Sequence, residues 1–258
     1  MFGGLHNPGS LCYLNAFVQI LRIIDANNKH KVKQPSTLQE LLTSMDLEKV
    51  CDPVPFALTL PPPFRPGHGQ QDIFELMVHF FSSASPITGS SLALSVKRTT
   101  DCGTCKSSSP HTAIESFISM SPIAFSISQL LYLASASTPA LDYKCSQCGA
   151  TDATTTETFT PTGNFFLFHL KRFLTVKGPH GFRALKNIDP VAITRDVFVG
   201  GAPFSLQAVV LHIGDMNGGH YVTDVLTVRR CYDDASIYPI PASRTALATP
   251  VLLLYQRK

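Results

Sequence analysis

His6-Asn7-Pro8-Gly9-Ser10-Leu11-Cys12-Tyr13-Leu14-Asn15 sits near the start of this chain, and Gly218-Gly219-His220-Tyr221 sits near its other end. In the first stretch a Pro-Gly turn aims a cysteine at the opening of an apolar run. Leu14, Phe17, Val18, Leu21 and Ile24 recur at helical spacing with further apolar residues between them, so the spacing predicts a central, buried helix. Ser10 or its neighbours are expected to cap its start. A helix N-terminus favours a thiolate, and an adjacent histidine lowers the thiol pKa and carries protons. In the second stretch the glycine pair permits close backbone approach, and Tyr221 opens a strand that can hold His220 still. Asp233 and Asp234 follow that strand, and either can accept from His220 Nδ1–H and fix its tautomer. Taken singly, Cys12 reads as a small core residue, His220 as one of nine histidines, and the two aspartates as a solvated turn.

Composition narrows the classes that remain. The 258 residues carry no Pro/Gly/Ser-rich linker, so one domain is expected. Hydrophobic residues make up 44% and charged residues only 15%, which implies a large apolar interior or a surface that meets a partner. A formal charge of +3 without a Lys/Arg stripe argues against nucleic acid. No apolar run is long enough for a membrane span, and Ala124 to Ala136 is interrupted by Ser and Gln. Met1-Phe2-Gly3-Gly4 lacks the regions of a secretory signal, so an intracellular chain with reduced thiols is expected.

Along the chain, Ser36 begins a second helix with Leu38, Leu41, Leu42 and Met45 on one side, and the Pro-rich stretch from Pro53 to Pro66 is expected to be loop. Gln70 to Ser83 is an amphipathic helix with Ile73, Leu76, Met77, Phe80 and Phe81 on one face and Asp72 in its first turn. Leu92 to Arg98 and Ala113 to Met120 read as strands around a Ser/Pro-rich turn, and Ser126 to Ala134 as a helix. Phe165 to Phe173, Leu206 to Ile213, Tyr221 to Val228 and Val251 to Tyr255 read as strands. Helices first and mostly antiparallel strands later make an α+β fold.

Four of the seven cysteines form two Cys-x-x-Cys pairs, Cys102/Cys105 and Cys145/Cys148. Each pair can present two thiolates to a metal at knuckle spacing. Two pairs in one reduced chain favour a structural zinc site over a redox pair or disulfides. Cys51 and Cys231 are read as ordinary free thiols.

Together these stretches resemble the ubiquitin-specific protease family, the papain-like cysteine deubiquitinases. Gly4 to Asn15 is similar to its Cys box, Gln70-Gln71-Asp72-Ile73-Phe74-Glu75-Leu76 to its Gln-Gln-Asp helix, and Tyr143 to Cys148 to its second zinc knuckle. His169-Leu170-Lys171-Arg172-Phe173 resembles its strand signature. Leu206 to Val210, His212, Gly214 and Gly219-His220-Tyr221 resemble its His box, Tyr232-Asp233-Asp234 its triad-acid motif, and Val251 to Tyr255 its closing strand.

The resemblance implies a hand-shaped domain over 1–258: a helical thumb at roughly 1–88, zinc-bearing fingers at 89–160 and a palm at 161–258. It implies thiol-dependent hydrolysis after the C-terminal Gly of ubiquitin, with Cys12 as nucleophile, His220 as base and acid, Asp233 as orienting acid and Asp234 as support. The Asn7 amide and the Cys12 backbone N–H would form the oxyanion hole. Gln70, Gln71 and Asp72 would meet the substrate tail, with Asp72 pairing an Arg of that tail. Gly219 and Tyr221 would line a channel narrow enough to demand Gly-Gly. Structural Zn²⁺ on four cysteines, ubiquitin or a ubiquitin-like modifier as partner, a monomeric state and a cytoplasmic or nuclear location complete the expectation.

Two departures stand out. Ser10 and Leu11 occupy positions where the family usually has Asn and Thr. Arg229, Arg230 and Cys231 occupy a stretch where it usually carries an aromatic residue. Two other readings compete: a protease for the interferon-induced, two-domain ubiquitin-like modifier, suggested by Gly4-Leu5-His6-Asn7, and a catalytically weak ubiquitin-binding scaffold. Retention of Cys12, His220, Asp233 and Asn7 favours an active enzyme over the scaffold.

Overall fold

A computed structural model describes residues 3–27, 36–47, 50–83, 91–178, 181–216, 218–245 and 248–258. Met1 and Phe2 of the signal reading, and the 88/89 boundary, lie outside these residues. Helix α1 (Cys12–Ala26) is buried on every side from Cys12 to Ile24, as its unbroken apolar texture requires. Its longer polar side chains each find at least one partner. Gln19 Nε2 donates to the Gly3 carbonyl at 3.2 Å, and Arg22 pairs with Asp25 and Asp46. Helix α2 (Ser36–Met45) buries Leu38, Leu41, Leu42 and Met45 as the spacing predicts.

The Pro-rich stretch is not wholly loop. Pro55 lies in the first turn of a short helix α3 (Val54–Ala57), and Pro62–Phe64 forms a 3₁₀ turn. Proline's fixed φ suits a helix start, where its missing N–H costs nothing. Helix α4 begins at Ile73 and ends at Ser83, so Gln70 and Gln71 precede it. Asp72 caps it by accepting from the Phe74 N–H at 2.8 Å. The rings of Phe80 and Phe81 meet Phe17 edge-on at 5.4 and 5.9 Å, fixing α4 against α1.

A thin sheet follows, built from β1 (Leu94–Cys102) and β2 (Ser108–Glu115). The Ser/Pro-rich residues expected as a turn belong to β2; the chain turns earlier, at the Cys102–Cys105 knuckle. Strand β3 (Phe117–Met120) and helix α5 (Ile127–Ala134) come next, the helix capped by Ser126 Oγ. Strands β4 (Thr138–Pro139) and β5 (Ala153–Pro161) complete the first sheet in the order β2-β1-β5-β4.

The second sheet is larger. It uses β6 (Phe165–Leu170), β9 (Asp196–Val199), β10 (Ala202–Gly214), β11 (Gly219–Val225), β12 (Arg230–Asp233), β13 (Ser236–Pro239) and β14 (Thr249–Arg257). Between β6 and β9 lies the hairpin β7 (Phe173–Gly178) and β8 (Gly181–Lys186). The order is β13-β12-β11-β10-β14-β6-β3 with β9 on β10, and only the β3–β6 pair is parallel. Both faces are buried. Leu252 and Leu254 join the core under α1, while Leu253 and Tyr255 join the core under α5 and β9. Alternate residues of one strand point to opposite faces, so β14 reads as a continuous apolar run. Burial on both faces accounts for the low charged fraction. Among the described residues no helix is long and apolar enough to cross a membrane.

The run expected from Phe165 to Phe173 breaks between β6 and β7 at Arg172, which is 1% exposed. Its Nε donates to the Pro250 carbonyl at 3.1 Å, and its Nη1 to those of Asp189 at 2.6 Å and Asn187 at 3.4 Å. One guanidinium thus ties β6, the exit of β8 and the start of β14. Arg172→Ala would strand these carbonyls and open a cavity, lowering stability by about 3 kcal/mol. Urea unfolding of the purified variant checks this; an unchanged midpoint would show the carbonyls find other partners.

Candidate active site

Cys12 is the first residue of α1 and 2% exposed. No side chain caps this helix in the usual way, because Leu11 stands at the cap position. Asn7 replaces the expected cap: its Oδ1 accepts from the Gly9 and Leu11 N–H groups, each at 3.0 Å. The turn so formed leaves Ser10 at φ 62°, a left-handed conformation that Asn tolerates better than Ser. The unusual Ser10 is therefore strained, while Leu11 simply fills the core.

Strand β11 carries His220 beneath the start of α1, and β12 ends at Asp233 beside it. His220 Nε2 lies 2.6 Å from Asp233 Oδ1, and the imidazole is near enough to Cys12 for the two to interact electrostatically. The expected polarity is reversed. The carboxylate meets Nε2, the ring nitrogen farther from the backbone, which reaches the end of the neighbouring strand. Interaction with Cys12 foremost, with Asp233 adding to it, outweighs burial and raises the His220 pKa to about 9.

Asp234 does not touch His220. Its Oδ2 accepts from Asn7 Nδ2 at 2.8 Å and its Oδ1 from Asn15 Nδ2 at 2.7 Å, while its own φ is 51°. The Asp234 carbonyl also accepts from the Leu5 N–H at 2.9 Å. Asp234 is thus the support that holds the Asn7 turn and α1 together. Asn15 and Tyr238 are additions that sequence reasoning did not assign. The Tyr238 hydroxyl donates to Asp233 Oδ2 at 2.9 Å. The only sequence signal for it is a tyrosine just across a tight hairpin from the acid. His220, Asp233 and Asp234 lie close enough to hold a cation, but their carboxylate oxygens are already committed to these partners.

A cleft of about 760 Å³ adjoins the site, lined among others by Ser10, Gln70, Gln71, Asp72, Glu75, Asp215, Gly219 and Tyr221. Gln70 spans it, donating to the Gly219 carbonyl at 2.6 Å and accepting from the Gly219 N–H at 3.2 Å. Gln71 turns back to the His68 carbonyl at 3.0 Å. Tyr221 is buried beside the helix start that carries Asp72. Burial pushes the Asp72 carboxyl up to about 6, opposed by its bond from Phe74. Gly219 is required sterically: a Cβ there would sit 2.1 Å from His212 Nε2. Burial first, then Lys186 and His220, lower His212 to about 4, so its imidazole is a neutral wall. Lys186 Nζ donates to the carbonyls of His212 at 2.9 Å and Gly214 at 2.7 Å, anchoring the end of β10.

At the far tip of the first sheet Cys102, Cys105, Cys145 and Cys148 converge, their sulfurs all within 4.8 Å of one another. Cys102 and Cys148 are 3.7 Å apart, Cys105 and Cys145 3.6 Å. A tetrahedral ion with metal–sulfur bonds of about 2.3 Å needs sulfurs about 3.8 Å apart, whereas a disulfide needs about 2.0 Å. Both knuckles close alike: Lys106 N–H donates to the Cys102 carbonyl at 3.1 Å and Gly149 N–H to that of Cys145 at 2.9 Å. Each donor lies just past the second cysteine at positive φ. The four thiols can hold one tetrahedral ion, with no position left over for chemistry.

A family model described as ubiquitin carboxyl-terminal hydrolase matches residues 3–255. No curated protein matches the sequence. Among solved structures, the SAGA Ubp8/Sgf11/Sus1/Sgf73 DUB module bound to ubiquitin aldehyde is similar at TM-score 0.77 and 17% identity, covering 99% of this chain and 69% of that one. The same module bound to monoubiquitin gives 0.73 at 17%, with the same coverage. A yeast SAGA DUB module gives 0.74 at 17%, covering 99% and 68%. At this identity the likeness speaks for the fold.

The imidazolium of His220 should persist well above its ordinary range. Because its folded pKa is raised from 6.5 to about 9, the stabilisation is complete below about 6.5 and is lost as pH rises through about 9. NMR titration of the His220 ring should give that midpoint, and Asp233→Ala should move it down. A midpoint near 6.5 in the unmodified protein would contradict the hydrogen bonds described.

Proposed function

The chain belongs to the ubiquitin carboxyl-terminal hydrolase family and is a cysteine-type deubiquitinase, and from that premise we propose that Cys12 is its nucleophile, acting on the carbonyl of ubiquitin's C-terminal Gly. The observation that carries this assignment is the His220–Asp233 hydrogen bond at 2.6 Å, set within interaction range of Cys12 at the start of α1. In the proposed reaction the Cys12 sulfur bonds to the carbonyl carbon as the lysine amine leaves, and imidazolium His220 gives its proton to that amine. His220 then takes a proton from water, which attacks the thioester and releases the carboxylate and the Cys12 thiol. Asp233 keeps the imidazole in one orientation throughout. Asn7 has one Nδ2 hydrogen free of Asp234; with the Cys12 N–H, it is assigned to the oxyanion.

The cleft supports a cationic, glycine-ended tail. Asp72, half-buried and raised to about 6, carries a carboxylate that an incoming guanidinium would stabilise. Gln70, Gln71, Gly219 and Tyr221 are assigned to the walls. The solved relatives described as bound to ubiquitin aldehyde and to monoubiquitin support ubiquitin as the partner. The spacing of the four sulfurs supports structural zinc on Cys102, Cys105, Cys145 and Cys148, which would join the ends of β1 and β5. The division into thumb (1–88), fingers (89–160) and palm (161–258) is supported by the two-sheet arrangement, with the thin sheet ending at β5. A reducing cytoplasmic or nuclear setting is supported by seven free cysteines, and the expectation of no nucleic-acid partner by a charge of only +3; a monomer is proposed with them.

The test is hydrolysis of a ubiquitin C-terminal fluorogenic substrate. The unmodified protein should turn it over, and Cys12→Ala should abolish turnover while retaining ubiquitin binding; turnover in that variant would refute the assignment. A panel of C-terminally activated probes of ubiquitin and its relatives, read as adducts on Cys12, separates ubiquitin from the interferon-induced modifier, and no adduct with any probe would leave the scaffold. Metal analysis should find about one zinc per chain, and chelation should melt the thin sheet while β11 and β12 stay paired. A metal-free, fully folded protein would exclude the zinc.

A further inference from the structure

The stretch where this chain departs from its family, Arg229-Arg230-Cys231, runs directly into the triad acid. Across the β12–β13 hairpin the register sets Cys231 opposite Tyr238 and Asp233 opposite Ser236. Cys231 is completely buried, and burial raises its thiol to about 11, so it remains a neutral thiol. Its sulfur accepts from Arg244 Nη2 at 3.2 Å, and the register sets its side chain beside that of Tyr238. Arg244 is itself ion-paired to Asp224 on β11. From this buried cluster the Tyr238 hydroxyl reaches Asp233 Oδ2 at 2.9 Å, while Asp233 Oδ1 faces His220 Nε2 at 2.6 Å.

We propose that Tyr238 is a positioning residue of the catalytic triad: its hydroxyl, on a ring set beside Cys231, fixes the Asp233 carboxylate so that one oxygen faces His220. This inference rests on the assignment of Cys12, His220 and Asp233 above. The physical need is local. Asp233 is the last residue of β12, it is half-exposed, and the next residue turns sharply at φ 51°. A carboxylate there can rotate about its side-chain bonds unless both oxygens are held. His220 holds one oxygen and Tyr238 the other, and the imidazole is oriented only as well as the carboxylate is. Tyr238 does not line the cleft that would receive the substrate tail, so its effect must pass through Asp233.

Tyr238→Phe keeps the ring and removes only the hydroxyl. It should lower kcat on a ubiquitin fluorogenic substrate about tenfold with KM unchanged. In an Asp233→Ala background it should cost nothing further, because the residue it acts through is gone. An unchanged kcat, or an equal loss in both backgrounds, overturns the proposal. A second measurement does not depend on the substrate: alkylation of Cys12 by iodoacetamide at neutral pH, read on the Cys12 peptide by mass spectrometry. It should slow in Tyr238→Phe, and an unchanged rate overturns the proposal. If the unmodified protein fails to hydrolyse any ubiquitin-type substrate, the functional assignment falls, while the alkylation result still decides the role of Tyr238.

Discussion

Asp234 takes a hydrogen bond from Asn7 on one carboxylate oxygen and from Asn15 on the other, at 2.8 and 2.7 Å, while its backbone carbonyl accepts from Leu5. This one residue, near the end of the chain, closes onto three points near its beginning. The turn before Cys12 is shaped by the same Asn7, whose carbonyl oxygen receives two backbone N–H groups. The approach is so close that a Cβ on Gly4 would lie 2.6 Å from the Ala235 carbonyl oxygen. An ion with both oxygens saturated by neutral amides loses little on partial burial, and it keeps α1 from sliding along β11. The separation of Cys12 from His220 depends on that restraint, because the two residues belong to elements joined by no covalent neighbour.

The palm sheet supplies the rigidity behind the restraint. A sheet buried on both faces tolerates no register slip, since moving one residue would exchange the two cores. Thr223 and Val225 of β11 are therefore placed firmly, and Thr223 Oγ1 donates to the Ala16 carbonyl at 3.3 Å, tying strand to helix. The thin sheet lacks such support. β2 is exposed along nearly its whole length and β1 buries residues only at its base and tip, which is why the four cysteines gather where the apolar contacts stop. Arg98 and Glu157, paired across strands, hold its middle.

Much of this was legible in the residues. Helices with a single apolar face, such as α2 and α4, announce themselves by spacing, and the strands buried on both faces by their unbroken hydrophobicity. Cys12, His220 and the two knuckles stand in local patterns that the fold brings together as expected. What could not be read depends on three-dimensional partners. Ser107 to Pro110 look like a turn until β1 is there to pair with them. Pro55 and Pro62 look like breakers until each is found at a helical first turn. The choice between Asp233 and Asp234 turns on a strand end and one left-handed residue, and the reversed polarity of His220 on the reach of its ring. Tyr238 carries only the faint signal of a tyrosine across a tight hairpin from the acid, and its meaning comes from the contact that the hairpin creates.

The strand between β10 and β6, at the centre of the palm, is β14, formed by residues 249–257. Cys12 and His220 therefore both precede, in sequence, the strand that fills the middle of their scaffold. Until the final strand slots in, β6 and β10 lack the partner they share, and the histidine strand has only half a sheet beneath it. β14 follows every other strand of this sheet in sequence, so the support behind His220 is complete only once residues 249–257 have joined it.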